Sequence, residues 1–205
     1  MQMIEDSKQK QIEIRIRERG QGTILFPSDF VDIGSSELVK KGLLRLEKKG
    51  MLTRLAFGIY LYPKKSKLLG DLTPSLEEIA KAIAERDKAR IVPTGIYALN
   101  ALGLSTQVPL NAVYLTDGAP RKVKVGKRTI LFKKASPKNL AATGPISGLI
   151  IQALKAIGEG NLEPDEETRI LEILKKENQE NIRHDIAMAP DWVREIMRKS
   201  IEVQP

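Results

Sequence analysis

The stretch SSELVKKGLLRLEKKGMLTRLAFGIYLYPK, residues 35–64, decides how this chain is read. Its first half has the period of an amphipathic helix. Val39, Leu43 and Leu46 recur at spacings of four and three, and Leu38 and Leu44 widen the stripe. Lys40, Lys41, Arg45, Lys48 and Lys49 fall mostly off it. Ser35 or Ser36 supplies an N-cap, Glu37 sits in the first turn where a carboxylate suits the helix dipole, and Gly50 is a natural stop. The second half changes period. Met51–Leu55 and Ile59–Tyr62 read as short strands, joined at Ala56-Phe57-Gly58, where Gly58 supplies the permissive backbone.

Working outward, residues 8–19 read KQKQIEIRIRER. Ile12, Ile14 and Ile16 alternate as in a strand, but the rest are Lys, Gln, Glu and Arg, all good helix formers, and a helix is expected. Gly20-Gln21-Gly22 interrupts it, Thr23–Phe26 leans to β, and Pro27–Asp32 reads as a short helix ended by Gly34. The order is then helix, short helix, basic helix, two-stranded hairpin, which is that of a winged helix-turn-helix. Its recognition helix would be Ser35–Lys49, of a size the major groove of double-stranded DNA admits. Ser35, Ser36, Lys40 and Lys41 are the expected groove-side residues; Arg45 and the hairpin's Arg54 are the expected phosphate contacts. A merely solvated basic face, or a winged helix that docks protein, is the competing reading.

Charge is unevenly placed. Residues 1–70 hold 14 Lys and Arg against 8 Asp and Glu, a net of +6, whereas residues 71–205 hold 20 against 18. The excess in the first third suits a polyanion, since cations that neutralise phosphates release counterions. Hydrophobic residues make up 41% and charged residues 29%, so a packed core is expected, built mainly from aliphatics because aromatics are only 4%. Without cysteine there are no disulfides or thiolate metal sites. No apolar run approaches the ~20 residues of a membrane-spanning helix, and Met1–Gln11 is too polar for a signal peptide. No membrane association and a cytoplasmic location are the expectation.

The run from Ser36 to Lys64 resembles the start of AbiEi-type antitoxins of bacterial abortive-infection (type IV) toxin–antitoxin systems. Val39, Leu43, Leu46, Lys49-Gly50, Leu52, Arg54, Gly58, Ile59 and Tyr60 occupy the places of that family's N-terminal pattern. Pro93–Leu104 is similar to the segment that opens the family's second domain, and Asp185-Ile186 with Ala189-Pro190-Asp191-Trp192-Val193 is similar to a closing motif of one branch. The resemblance implies an antitoxin that represses its own promoter and counters a nucleotidyltransferase-like toxin encoded beside it.

Residues 65–74 read as a linker, and Thr73 or Ser75 can cap a helix with Leu76, Ile79, Ala80 and Ile83 inward. Residues 94–102 form another expected helix, stopped by Gly103. Ala112–Lys134 reads as three strands of a small antiparallel sheet, with Arg121, Lys122, Lys124, Lys127, Arg128, Lys133 and Lys134 on its solvent face or, as the lesser alternative, contacting phosphates. Helices resume over 146–157, 164–178, 179–187 and 191–201. The expected fold class is α+β: a winged helix-turn-helix at 1–66, then a mixed α+β domain at 73–205 with a small antiparallel sheet.

No enzymatic activity and no cofactor are expected. His184 is the only histidine, which excludes a histidine-based metal cluster; thiol catalysis is excluded, and no P-loop occurs. A nucleotidyltransferase needs closely spaced metal-binding carboxylates after a Gly-Ser, and Gly34-Ser35 has none. His184-Asp185 reads as a local surface or capping pair. The leading functional reading is a DNA-binding antitoxin. The alternative is a winged-helix transcriptional regulator whose C-terminal domain senses a ligand or dimerises, with no toxin partner. A homodimer would match a palindromic site.

Overall fold

The computed structural model describes residues 2–202 except Lys67, Leu69 and Val108. The fold is α+β. The chain divides into two compact units, Met1–Ala82 with Lys124–Gly126, and Ile83–Val123 with Lys127–Pro205.

The first unit begins with helix α1 (Gln2–Arg19). The ambiguous isoleucine run is helical because only that spacing sorts it. Ile12 and Ile16, one turn apart, are fully buried, while Ile14 is 47% exposed. Strand β1 (Ile24–Leu25) leads into a 3₁₀ turn at Pro27–Phe30, in place of the short helix expected for 27–32. The Asp29 carboxylate accepts the Phe26 amide at 2.8 Å and pairs with Arg19 at 2.9 Å, which ties the turn to α1. Arg15 adds a two-pronged pair to Asp32 at 2.6 and 2.8 Å.

Helix α2 (Ser36–Lys48) and the strands β2 (Thr53–Ala56) and β3 (Ile59–Leu61) follow as read. The sheet has the order β1-β3-β2, all antiparallel. Its central strand is buried at every residue. Val39, Leu43 and Leu46 pack with Ile12, Ile16 and Phe30 in one core. Leu44 does not join them: it is 39% exposed, because it lies on the side of α2 away from that stripe. Where α1 crosses α2, Gln9 donates to the Gly42 carbonyl at 3.3 Å, and a Cβ on Gly42 would stand only 2.9 Å from Gln9 Oε1 and 3.0 Å from Ile12 Cδ1. Gly42 costs helix propensity and permits this approach.

The expected linker 65–74 is instead largely an antiparallel hairpin of β4 (Lys64–Ser66) and β5 (Gly70–Leu72); its Lys67 and Leu69 lie outside the described residues. Neither strand buries a face, so neither carries the apolar alternation that would announce it. Helix α3 (Leu76–Asp87) starts at a capping box. Ser75 Oγ accepts the Glu78 amide at 3.1 Å, and the Glu78 carboxylate accepts the Ser75 amide at 2.7 Å. The division between the units falls within this helix.

The second unit contains strands β6 (Ile91–Pro93), β7 (Asn111–Thr116) and β9 (Arg128–Lys134) and the first three residues of β8 (Arg121–Val125), whose last two are counted with the first unit; helix α4 (Ile96–Ala101) comes between β6 and β7. The order is β6-β7-β9-β8. The sheet is therefore mixed and not antiparallel: β7 and β9 run parallel, from Asn111↔Thr129 to Thr116↔Lys134. Sequential strands usually neighbour each other; here β8 takes the outer edge and β9 returns inside it. Strand β6, unforeseen, pairs antiparallel with β7 on the other edge, a place where Pro93 is tolerated. Ala112, Tyr114, Thr116, Ile130 and Phe132 form the buried face, with the Tyr114 and Phe132 rings stacked at 6.0 Å.

Helices α5 (Pro145–Ile157), α6 (Pro164–Leu174), α7 (Gln179–Ile186) and α8 (Asp191–Glu202) complete the unit. A 3₁₀ turn at Pro137–Leu140 precedes them, and α6 ends at Leu174, short of the expected 178. Ile150, Leu154, Ile170, Leu174, Val193 and Met197 are the centre of their core.

Two carboxylates grip the start of α5. Asp185, fully buried, accepts the Thr143 amide at 2.7 Å and the Gly144 amide at 2.9 Å, and also the Ser147 hydroxyl. Glu177 accepts the Ile146 and Ser147 amides at 2.8 and 3.2 Å. Asp185 thus caps a helix other than its own and is no surface residue. Burial alone would push its pKa up, but hydrogen bonds from His184, Ser147 and the two amides hold it below the usual 3.8. Glu177 is likewise raised by burial and lowered further by Asn181 and the amides, to below 4.5. Both depressed carboxyls favour the folded state above their unfolded values, and that contribution is lost as pH falls through the folded ones. Asp185→Asn, which presents an amide to donors, should cost about 3 kcal/mol in urea unfolding at pH 7. The deficit relative to wild type should shrink as the pH is lowered below about 4.

Candidate nucleic-acid interface

Burying one side of α2 sorts its other residues into two adjacent outward rows. Ser36, Lys40, Leu44 and Lys48 stand four apart, as do Glu37, Lys41 and Arg45, and all seven are exposed. Five helical positions out of seven on this face are therefore polar cations or a hydroxyl. Lys41 is paired with Glu37 at 2.8 Å, and that pair pulls the Glu37 pKa below its ordinary value. An exposed pair of this kind holds weakly and exchanges readily for a stronger anion. Lys40, Lys48 and Lys49 have no carboxylate partner among the described residues. The face carries four cations against one carboxylate.

Of the two serines expected to cap α2, Ser35 is the one that does. It is the N-cap, and its Oγ accepts the Leu38 amide at 3.4 Å. Ser36, Lys40, Lys41 and Arg45 share the outward face, whereas Arg54 belongs to the hairpin. Arg54 lies across from Tyr60 on β2 and reaches toward the turn, donating to the Ala56 carbonyl at 3.4 Å. Its guanidinium lies 5.5 Å from the centre of the Phe57 ring. Phe57 itself is 89% exposed at the tip, followed by Gly58 at φ +69°. The sequence reading passed over Phe57 as part of a turn. The available signal was its type, because two-residue turns usually carry Gly, Asn or Asp.

The sequence profile of a family of unknown function, DUF6088, matches residues 11–182. The chain belongs to that family. No curated protein matches it. The DUF6088 match runs from within α1 to within α7, so it takes in the α2 face, the β2–β3 hairpin and the mixed sheet.

A second polar cluster in this DUF6088 chain has the residue types of hydrolytic chemistry without its arrangement. Ser147 donates to one oxygen of Asp185 and His184 Nδ1 stands 2.8 Å from the other. The hydroxyl thus meets the carboxylate and not the imidazole, and Ser147 is fully buried. Its role is to close the start of α5. Among the described residues no group of three His, Asp or Glu is placed to hold a metal ion, and no helix is long and apolar enough to cross a membrane. The basic residues of β8 and β9 do not act as one set. Lys122, Lys124, Lys127, Lys133 and Lys134 are exposed, but Arg121 is half-buried, ion-paired with Asp87 and 5.4 Å from the Phe132 ring centre. Lys134 donates to the Asp117 carbonyl.

The division of labour between the two serines can be measured. Ser35→Ala should cost about 1 kcal/mol of stability through the lost cap, and Ser36→Ala should stay within about 0.5 kcal/mol of wild type in the same thermal or urea melts.

Proposed function

We propose that the chain is a DNA-binding antitoxin-type regulator, and that its first unit is a winged helix-turn-helix. In this reading α2 is the recognition helix and the β2–β3 hairpin is the wing. The observation that carries it is the outward face of α2, where Lys40, Lys41, Arg45 and Lys48 outnumber the single Glu37. Such a face lies down against phosphates, and its first two turns, with Ser36 and Lys40, are the part that enters a major groove. Arg54 would meet the phosphate backbone from the hairpin. Ser35 contributes by starting the helix, and Lys41 must leave Glu37 when it meets a phosphate.

The rest of the proposal rests on the resemblance of the Val39–Tyr60 pattern to AbiEi-type antitoxins. The second unit would counter a nucleotidyltransferase-like toxin, the first would repress the promoter of the shared operon, and neither would be an enzyme. A second reading, a winged helix that docks protein, draws on Leu44, an exposed aliphatic in the middle of the charged rows.

Lys40→Glu combined with Lys41→Glu separates these. The pair should abolish gel shift of a fragment from the chain's own promoter and lower the salt slope of any remaining binding by about 2. Neutralisation of the co-expressed neighbouring toxin should survive in a growth test. Unchanged gel shift would leave α2 without a role in DNA binding; loss of neutralisation by a folded variant would overturn the assignment of that task to the second unit.

A further inference from the structure

Phe57 is the most exposed aromatic contact point on the first unit, and three features argue that its position is built. The strands beside it are anchored: β3 is the buried central strand of the sheet, with Ala56 directly opposite Ile59. Phe57 takes the first of the two turn positions, and Gly58 takes the second at φ +69°, a conformation that L side chains rarely adopt. The turn is therefore closed by Gly58, which leaves the first position free of any backbone need for a particular side chain. A phenyl ring there buries almost nothing, at 89% exposure, so it contributes little to the fold. Finally, Arg54 lays its guanidinium against the ring at 5.5 Å while bonded to the Ala56 carbonyl, which restrains the ring and sets a permanent positive charge next to it.

An apolar, flat, outward-pointing group with a cation at its base matches one kind of surface closely. The ring suits the space between two stacked base pairs, and the guanidinium suits the phosphates that line the same groove. An apolar protein pocket would take the phenyl ring but would have to desolvate Arg54 with no anion to receive it. We propose that Phe57 is a wedge that enters the minor groove of double-stranded DNA at one base step and kinks it, with Arg54 as its phosphate anchor. This rests on the DNA-binding reading and adds a deformation to it. Specificity would then come partly from steps that unstack easily, such as TA or CA/TG, in addition to groups read by α2.

The test uses the full-length chain and duplexes from its own promoter, each with one 2-aminopurine at a different step and with a donor and acceptor dye at its ends. Wild-type protein should brighten 2-aminopurine at one step and shorten the end-to-end distance. Phe57→Ala should bind about ten-fold more weakly, without brightening and without bending. Phe57→Trp should keep both signals. Because Phe57 is exposed, the alanine variant should melt like wild type, so a loss of signal reports on DNA and not on folding. Binding by Phe57→Ala with the same bend and brightening as wild type would overturn the wedge while leaving the DNA-binding reading intact. Wild-type protein that binds no duplex at low salt would overturn both.

Discussion

Burial of Val39, Gly42, Leu43 and Leu46 sets the rotation of α2 about its axis, and with it the direction of every charged side chain that helix carries. These four residues meet a surface made largely by Ile12 and Ile16 of α1 and by Phe30 of the 3₁₀ turn. The glycine is part of the same constraint. A larger side chain at residue 42 would meet Gln9 and Ile12 at once, so α1 would have to stand off, and α2 would turn or lift. The outward rows of Lys40, Lys41, Arg45 and Lys48 thus follow from packing on the opposite side. The chain places charge by burying its absence.

The second unit is organised by a different kind of interaction. Two carboxylates that arise 32 and 40 residues after Pro145 satisfy the amides at the start of α5. Such groups would otherwise lie buried and unpaired, at a cost of roughly 1–3 kcal/mol each. The arrangement also draws in Ser147 and His184, which explains why a serine, a histidine and an aspartate come together with no catalytic geometry. Hydrogen bonding, and not reactivity, accounts for the lowered pKa of Asp185.

What could be read from the sequence follows the reach of each signal. The stripe of α2, the Gly50 stop and the strands on either side of Phe57 are local patterns, and they were legible. The isoleucines of α1 gave two answers, and only the charged residues between them chose correctly. Failures occurred where the deciding partner is distant or the pattern is empty. The parallel pairing of β7 with β9 depends on which strand takes the edge, which alternation does not encode. Strand β6 is three residues long, and the hairpin at 64–72 buries neither face. Asp185 meets Thr143 and Gly144 across about forty residues of sequence. At the proposed interface four of the six expected residues lie on one face, Ser35 is a cap, Arg54 is on the hairpin, and Phe57 was overlooked because a turn is read for its glycine.

The central claim is that the first unit binds DNA chiefly by neutralising phosphates with α2 and the hairpin. The measurement that tests it most directly is the affinity of the full-length chain for a duplex from its own promoter as salt is raised. Neutralisation of four or five phosphates by Lys40, Lys41, Arg45, Lys48 and Arg54 predicts that log K falls against log salt with a slope of about −3 to −5. A slope near zero, or no binding at about 50 mM salt, would contradict the account.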